Sequence, residues 1–109
     1  MADIVELPSK YAWERPGYKL DWSGILPDEV TIASVAHEVH DASDADPDNP
    51  TWLGATMVKA EDFDNDTRIT EVDIEGGTAD HSYIVRARVT GTDGQKYQQN
   101  AVFFVDKEV

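Results

Sequence analysis

The sequence predicts an all-β chain: an immunoglobulin-like antiparallel β-sandwich of about 6–7 strands with an extended N-terminal arm. Three observations predict it. Apolar and polar residues alternate from Tyr83 to Thr90 and again from Gln95 to Val105. Five prolines and seven glycines punctuate the chain, and few windows hold helical apolar spacing. The alternating runs recur at intervals of about a dozen residues, the rhythm of a two-sheet fold.

Taken in chain order, residues 1–17 (MADIVELPSKYAWERPG) contain two prolines and weak alternation, and read as an arm. Residues 18–109 read as the β-sandwich domain. Its first apolar stretch, Tyr18 to Leu26, stops at Pro27, with Trp22 in step with Leu20 as a core residue. Val30 to Val39 has Val30, Val35 and Val39 at positions that suit a short helix. The β-branched Thr31 and Ile32 favour a strand instead. Asp41 to Pro50 is a loop, apolar only in alanine and carrying two prolines. Leu53 to Phe63 predicts a strand, followed by the polar turn Asp64-Asn65-Asp66. In the next strand, Thr70, Val72 and Ile74 share one face against Glu71 and Asp73, and it ends at Gly76-Gly77. In Tyr83 to Thr90, residues Tyr83, Val85, Ala87 and Val89 face inward and Arg86, Arg88 and Thr90 outward. Thr92-Asp93-Gly94 is a turn with glycine where positive φ is expected. Tyr97, Ala101, Phe103 and Val105 line one face of the last strand, completing a β-hairpin.

Composition narrows the function classes. One hundred and nine residues make one domain with a modest core. The chain has no cysteine, so a disulfide scaffold, a thiolate metal site and a cysteine nucleophile are excluded. The start of the sequence lacks the basic-then-apolar pattern of a secretion signal, and no apolar run is long enough to span a membrane. The net charge is −13 and unevenly placed. Residues 38–75 hold twelve of the 22 acids and two of the nine bases. That acidity disfavours nucleic-acid phosphates and anionic membranes. It suits solubility first, then a basic protein partner or cations.

No catalytic constellation emerges, and the chain reads as a non-enzyme without cofactors. His37 and His40 are three apart, whereas a helical zinc pair needs i and i+4. On a strand the two side chains point to opposite faces. His81 follows a turn and has no evident partner in the sequence. No serine sits in a G-x-S-x-G elbow, and no glycine loop with lysine offers a phosphate cradle. Asp62, Asp64 and Asp66 begin like a calcium loop. Thr67 stands where that loop needs glycine, and a strand would carry Asp73 away from the turn. Asp44, Asp46 and Asp48 lead to Ala55 at the position of the bidentate glutamate. A solvated acidic turn is the plainer reading of both.

Partner contact has better candidates. Arg86 and Arg88 share the outer face of one strand, where guanidinium groups either face acidic neighbours or recognise a partner's carboxylates. Tyr11 and Trp13 lie on the arm. They either fold back on the domain or serve as aromatic anchors.

Two segments carry a family resemblance. The first is Leu20-Asp21-Trp22, then Leu26, then Val30-Thr31-Ile32-Ala33-Ser34. The second is Gly76-Gly77-Thr78-Ala79-Asp80-His81-Ser82-Tyr83, continued by Val89 to Gln95 with its Thr92-Asp93-Gly94 turn. Over roughly residues 18–105 the chain resembles phage fiber–tail adaptor proteins of tailed bacteriophages. Asp21, Trp22, Gly76, Gly77, Tyr83, Asp93 and Gly94 are the shared structural positions. Asp80 departs from the pattern, standing where the family commonly has glycine, and the segment 40–66 is longer and more acidic than expected. The resemblance implies an immunoglobulin-like virion structural protein in the tail or neck, made in the host cytoplasm. It further implies many copies per particle, contacts with tail, neck, portal or fiber proteins, and no direct contact with nucleic acid or membrane. A capsid decoration or head-fiber domain is the alternative address. A carbohydrate- or calcium-dependent adhesion module, with Trp52 or Tyr97 as a stacking platform, is the alternative class.

Overall fold

The computed structural model describes residues 5–43, 53 and 57–107. They form eight strands: β1 (Val5–Glu6), β2 (Lys10–Tyr11), β3 (Gly17–Asp21), β4 (Ile32–Asp41), β5 (Val58–Asp64), β6 (Ile69–Ile74), β7 (Ser82–Gly91) and β8 (Lys96–Asp106). One sheet runs β1-β8-β7-β4, with β2 also paired to β8; the other runs β3-β6-β5. The fold is therefore an all-β sandwich. The hairpin read from the sequence is the β7–β8 pair, in register from Ser82↔Phe104 to Thr90↔Lys96. Its turn places Gly94 at φ 81°.

The competition between helix and strand at residues 30–39 resolves in favour of β4, as the β-branched residues require. The strand expected over residues 53–63 begins at Val58. Residues 54–56, Trp52 and most of the acidic loop, 44–50, lie outside the described residues. Residues 5–11 run parallel to β8, with Val5↔Ala101 and Lys10↔Val105 in register. Leu7 and Ala12 pack against the core, so this part of the arm folds back on the domain.

The core lies between the sheets. β6 buries Thr70, Val72 and Ile74, and β7 buries Tyr83, Val85, Ala87 and Val89. Tyr83 stacks on Phe103 at 5.3 Å between ring centroids, and Tyr18 meets Phe103 at 5.4 Å. Trp22 is fully buried, and its Nε1–H donates to Thr70 Oγ1 at 2.8 Å. That bond satisfies both polar atoms where water does not reach.

The corner between β6 and β7 is shaped by backbone conformation. Gly76 and Gly77 have φ of 95° and 103°, and Asp80 has φ 68°. A Cβ on Gly77 would lie 2.8 Å from Val105 Cγ2, so glycine is required there twice over. The Thr78 N–H donates to the Tyr83 hydroxyl at 2.6 Å, tying the start of β7 back to the corner.

Candidate functional site

Alternation divides β7 and β8 into a buried face and an outer face. The outer face carries Ser82, Ile84, Arg86, Arg88 and Thr90 on β7, and Gln98, Asn100, Val102 and Phe104 on β8. Arg86 lies across from Glu38 of β4, and its Nη2 meets Glu38 Oε2 at 2.5 Å. Arg88 is exposed, and its Nε–H donates to Gln98 Oε1 at 3.0 Å. The acidic neighbour expected for this face is thus Glu38, and it engages Arg86.

Tyr11 is in register with Asp106, which sets it on the same outer face beside Phe104. Tyr11, Trp13 and Phe104 are 40%, 76% and 38% exposed. Arg86 and Arg88 are in register with Asn100 and Gln98. Six and eight residues of β8 therefore separate them from the Tyr11 row, or about 20 and 27 Å. Tyr11 and the two arginines share a sheet face without forming one cluster, and the exposed Trp13 lies in the turn that follows β2. Ile84, Val102 and Phe104 fill the interval with apolar surface. Sequence reading passed over them because it followed the opposite phase of the same alternation.

Lys10 also escapes a reading of the sequence. Its side chain is buried, and Nζ donates to Tyr11 O at 2.8 Å, Ala12 O at 3.3 Å and Gly76 O at 2.6 Å. Burial lowers its pKa, against the opposing pull of Glu14 and Glu75. A lysine so placed joins the arm to the Gly76-Gly77 corner. Tyr18 fastens the arm to β3. Its hydroxyl donates to Pro8 O at 2.6 Å, and burial pushes its pKa up to about 12.

The histidines diverge as a strand requires. His37 is buried, not at the surface. Its Nδ1 lies 3.0 Å from Glu61 Oε1, which also accepts the His37 backbone N–H. Burial lowers the His37 pKa despite this carboxylate. His81 has a partner after all, with Nδ1 lying 2.7 Å from Asp41 Oδ2.

Asp62 Oδ1 accepts the Phe63 N–H and Asp64 Oδ1 the Asp66 N–H. Asp62 thus serves the backbone of β5 and Asp64 that of the β5–β6 turn. Among the described residues no three His, Asp or Glu side chains gather as a metal site. Asp21 Oδ1 accepts from the Ser23 hydroxyl at 2.5 Å and from Ser23 N at 2.9 Å, and these hydrogen bonds hold its pKa down. Asp93 Oδ1 accepts the Gln95 N–H, and Asp93 Oδ2 accepts the Tyr97 hydroxyl at 2.8 Å. The shared positions of the two motifs are accordingly turn-makers and core anchors.

A family model described as the podophage GP4 fiber-tail adaptor protein gp77 matches residues 10–103, from the buried Lys10 through the stacked Phe103. The chain belongs to this fiber-tail adaptor family. The fiber-tail adaptor family is one of phage structural proteins, and its model takes in β2 through most of β8. No curated protein matches the chain. Among solved structures, CopC from Methylosinus trichosporium OB3b is similar in fold, with a TM-score of 0.59 and 18% identity; the match covers 99% of this chain and 90% of CopC. A 2,6-sialyltransferase from Photobacterium sp. matches with a TM-score of 0.38 and 11% identity, over 97% of this chain and 19% of the enzyme. A nucleoside hydrolase-related protein from Saccharophagus degradans matches with a TM-score of 0.38 and 14% identity, over 94% of this chain and 22% of that one. The chain spans about a fifth of the length of these last two.

Proposed function

We propose that this fiber-tail adaptor is a non-enzymatic virion component that joins fiber to the tail or neck through protein–protein contacts. The family match over residues 10–103 carries the reading. The outer face of β7 and β8 supports it. Tyr11 and Phe104 offer aromatic surface beside Ile84 and Val102, the exposed Trp13 follows in the turn after β2, and Arg88 adds a guanidinium farther along the face. Aromatic and arginine side chains dominate the energetics of protein interfaces. We place the docking contact on this face, with many copies per particle in the tail or neck.

An immunoglobulin-like topology accompanies the proposal. The sheets β3-β6-β5 and β8-β7-β4 follow the pairing order of the B-E-D and G-F-C strands of such domains. The Tyr83 hydroxyl bond to Thr78 N, at the corner entering β7, parallels their tyrosine corner.

The test is a pull-down from a lysate of phage-infected cells with the full chain as bait. Tail, neck, portal or fiber proteins in the eluate support the adaptor role. Capsid protein alone would make the chain a decoration protein. Binding to glycans without any virion protein would overturn the reading.

A further inference from the structure

We infer that the free edge of β3 is a strand-addition site for an extended, basic segment of another protein. The inference rests on the geometry of β3 and is independent of the virion reading above.

Most of the other sheet edges are occupied or blunted. β8 is flanked by β1 and β2 from Ala101 to Asp106, though not from Lys96 to Asn100. The β4 edge is stopped by groups from outside its sheet. Asn65 Oδ1 accepts from Ile32 N and Asn65 Nδ2 donates to Ile32 O. Glu61 takes the His37 N–H, and Leu53 N donates to Val39 O. β5 carries a register irregularity between Val58 and Ala60. Such devices are how sheets avoid unwanted pairing.

β3 has none of them. Its pairing with β6 is regular from Gly17↔Asp73 to Asp21↔Ile69, and no proline interrupts it. Trp22 N donates to Arg68 O, and Ile74 N to Pro16 O. The even-numbered residues therefore carry the ladder to β6. Gly17, Lys19 and Asp21 aim their N–H and C=O groups away from it. The Asp21 carbonyl shows that direction, since it accepts Gln99 Nε2 of the opposite sheet at 3.2 Å. The N–H and C=O of Gly17 and Lys19 have no partner among the described residues, and both residues are exposed. In an immunoglobulin constant-type sandwich the corresponding sheet has a fourth strand at this position. Here the residues ahead of β3 pair with β8 instead.

Charge defines the occupant. A Cβ on Gly17 would lie 3.0 Å from Asp73 Oδ1 and 3.0 Å from Glu71 Oε2. Two carboxylates thus lean over the bare Cα of an edge residue; Arg15 lies 3.5 Å from Asp73 and Lys19 stands across from Glu71, but Asp21, Asp62 and Asp64 share the same outer face and leave it net acidic. A lysine or arginine on an added strand would sit beside them, and main-chain hydrogen bonds would supply the rest of the affinity.

The test uses the full chain, labelled with ¹⁵N, and two synthetic peptides: one alternating lysine with valine, one alternating glutamate with valine. Amide exchange reads the site. The basic peptide should slow exchange at Gly17 and Lys19 and bind about tenfold more tightly than the acidic one. Lys19→Pro removes an edge N–H that β6 does not use, and should abolish that binding while Tyr18 and Leu20 stay protected. Should Lys19→Pro unfold the chain, E71Q with D73N serves instead and should erase the preference for the basic peptide. Binding of both peptides alike, protection at another edge, or no protection at millimolar peptide would overturn the inference.

Discussion

Lys10 Nζ donates to Gly76 O at 2.6 Å across 66 residues of sequence. This contact fastens the arm to the corner that precedes β7. Lys10→Met keeps the apolar stem and removes three donors. It should cost about 1–3 kcal/mol, the penalty for carbonyls left without a partner. Thermal melting reads the loss. Amide exchange at Leu7, whose N–H donates to Val102 O, should accelerate more than exchange in β7. Equal acceleration in both would mean that the arm is not the part released.

Asp80 should yield stability when replaced. It holds φ 68°, in the left-handed region where glycine is at ease and aspartate is only tolerated. Asp80→Gly should raise stability by about 0.5–1 kcal/mol. Gly77→Ala should do the reverse, by about 2 kcal/mol or more, because its Cβ would press on Val105 at an unfavourable φ. Denaturant midpoints measure both.

Tyr83→Phe isolates the hydroxyl at the β6–β7 corner. The ring keeps its stacking on Phe103, while Thr78 N–H loses its acceptor. A loss of about 1–2 kcal/mol is expected, read as a lower melting temperature.

His37 gives an acid dependence. Its folded pKa lies below the unfolded value near 6.5, so the unfolded chain binds the proton more readily. Stability is present above about pH 6.5 and is lost as pH falls toward the folded pKa. Tyr18 gives an alkaline dependence of its own. With its folded pKa at about 12, its contribution is lost as pH rises from about 10 through 12. H37Q should flatten the acid limb and Y18F the alkaline one, in melts followed across pH.

Much of this fold is legible in the sequence because alternation reports directly on a half-buried strand. The β7–β8 hairpin and the buried face of β6 follow from it. Gly94 and Gly77 follow from the conformations that only glycine adopts freely. What escaped was set by contacts distant in sequence. Nothing local marks Lys10 as buried, since its three acceptors come from the arm and from a corner 66 residues away. His37 shares the inner face of β4 with Val39, but its partner Glu61 comes from 24 residues on. Ile84, Val102 and Phe104 stand out of phase with the core residues around them, and that displacement is the sequence signal for an apolar outer face. Arg86 and Arg88 were placed on the correct face, but not with Glu38 and Gln98 as partners.

The most direct measurement is incorporation of the chain into phage particles when its outer face is changed. A Trp13→Ser, Phe104→Glu double variant alters two exposed side chains and should leave melting within about 0.5 kcal/mol of the parent. The account predicts that this folded variant is missing from purified particles and that fibers are lost with it. A folded variant incorporated at parental levels, with fibers attached, would contradict the assignment of this face as the adaptor's docking surface.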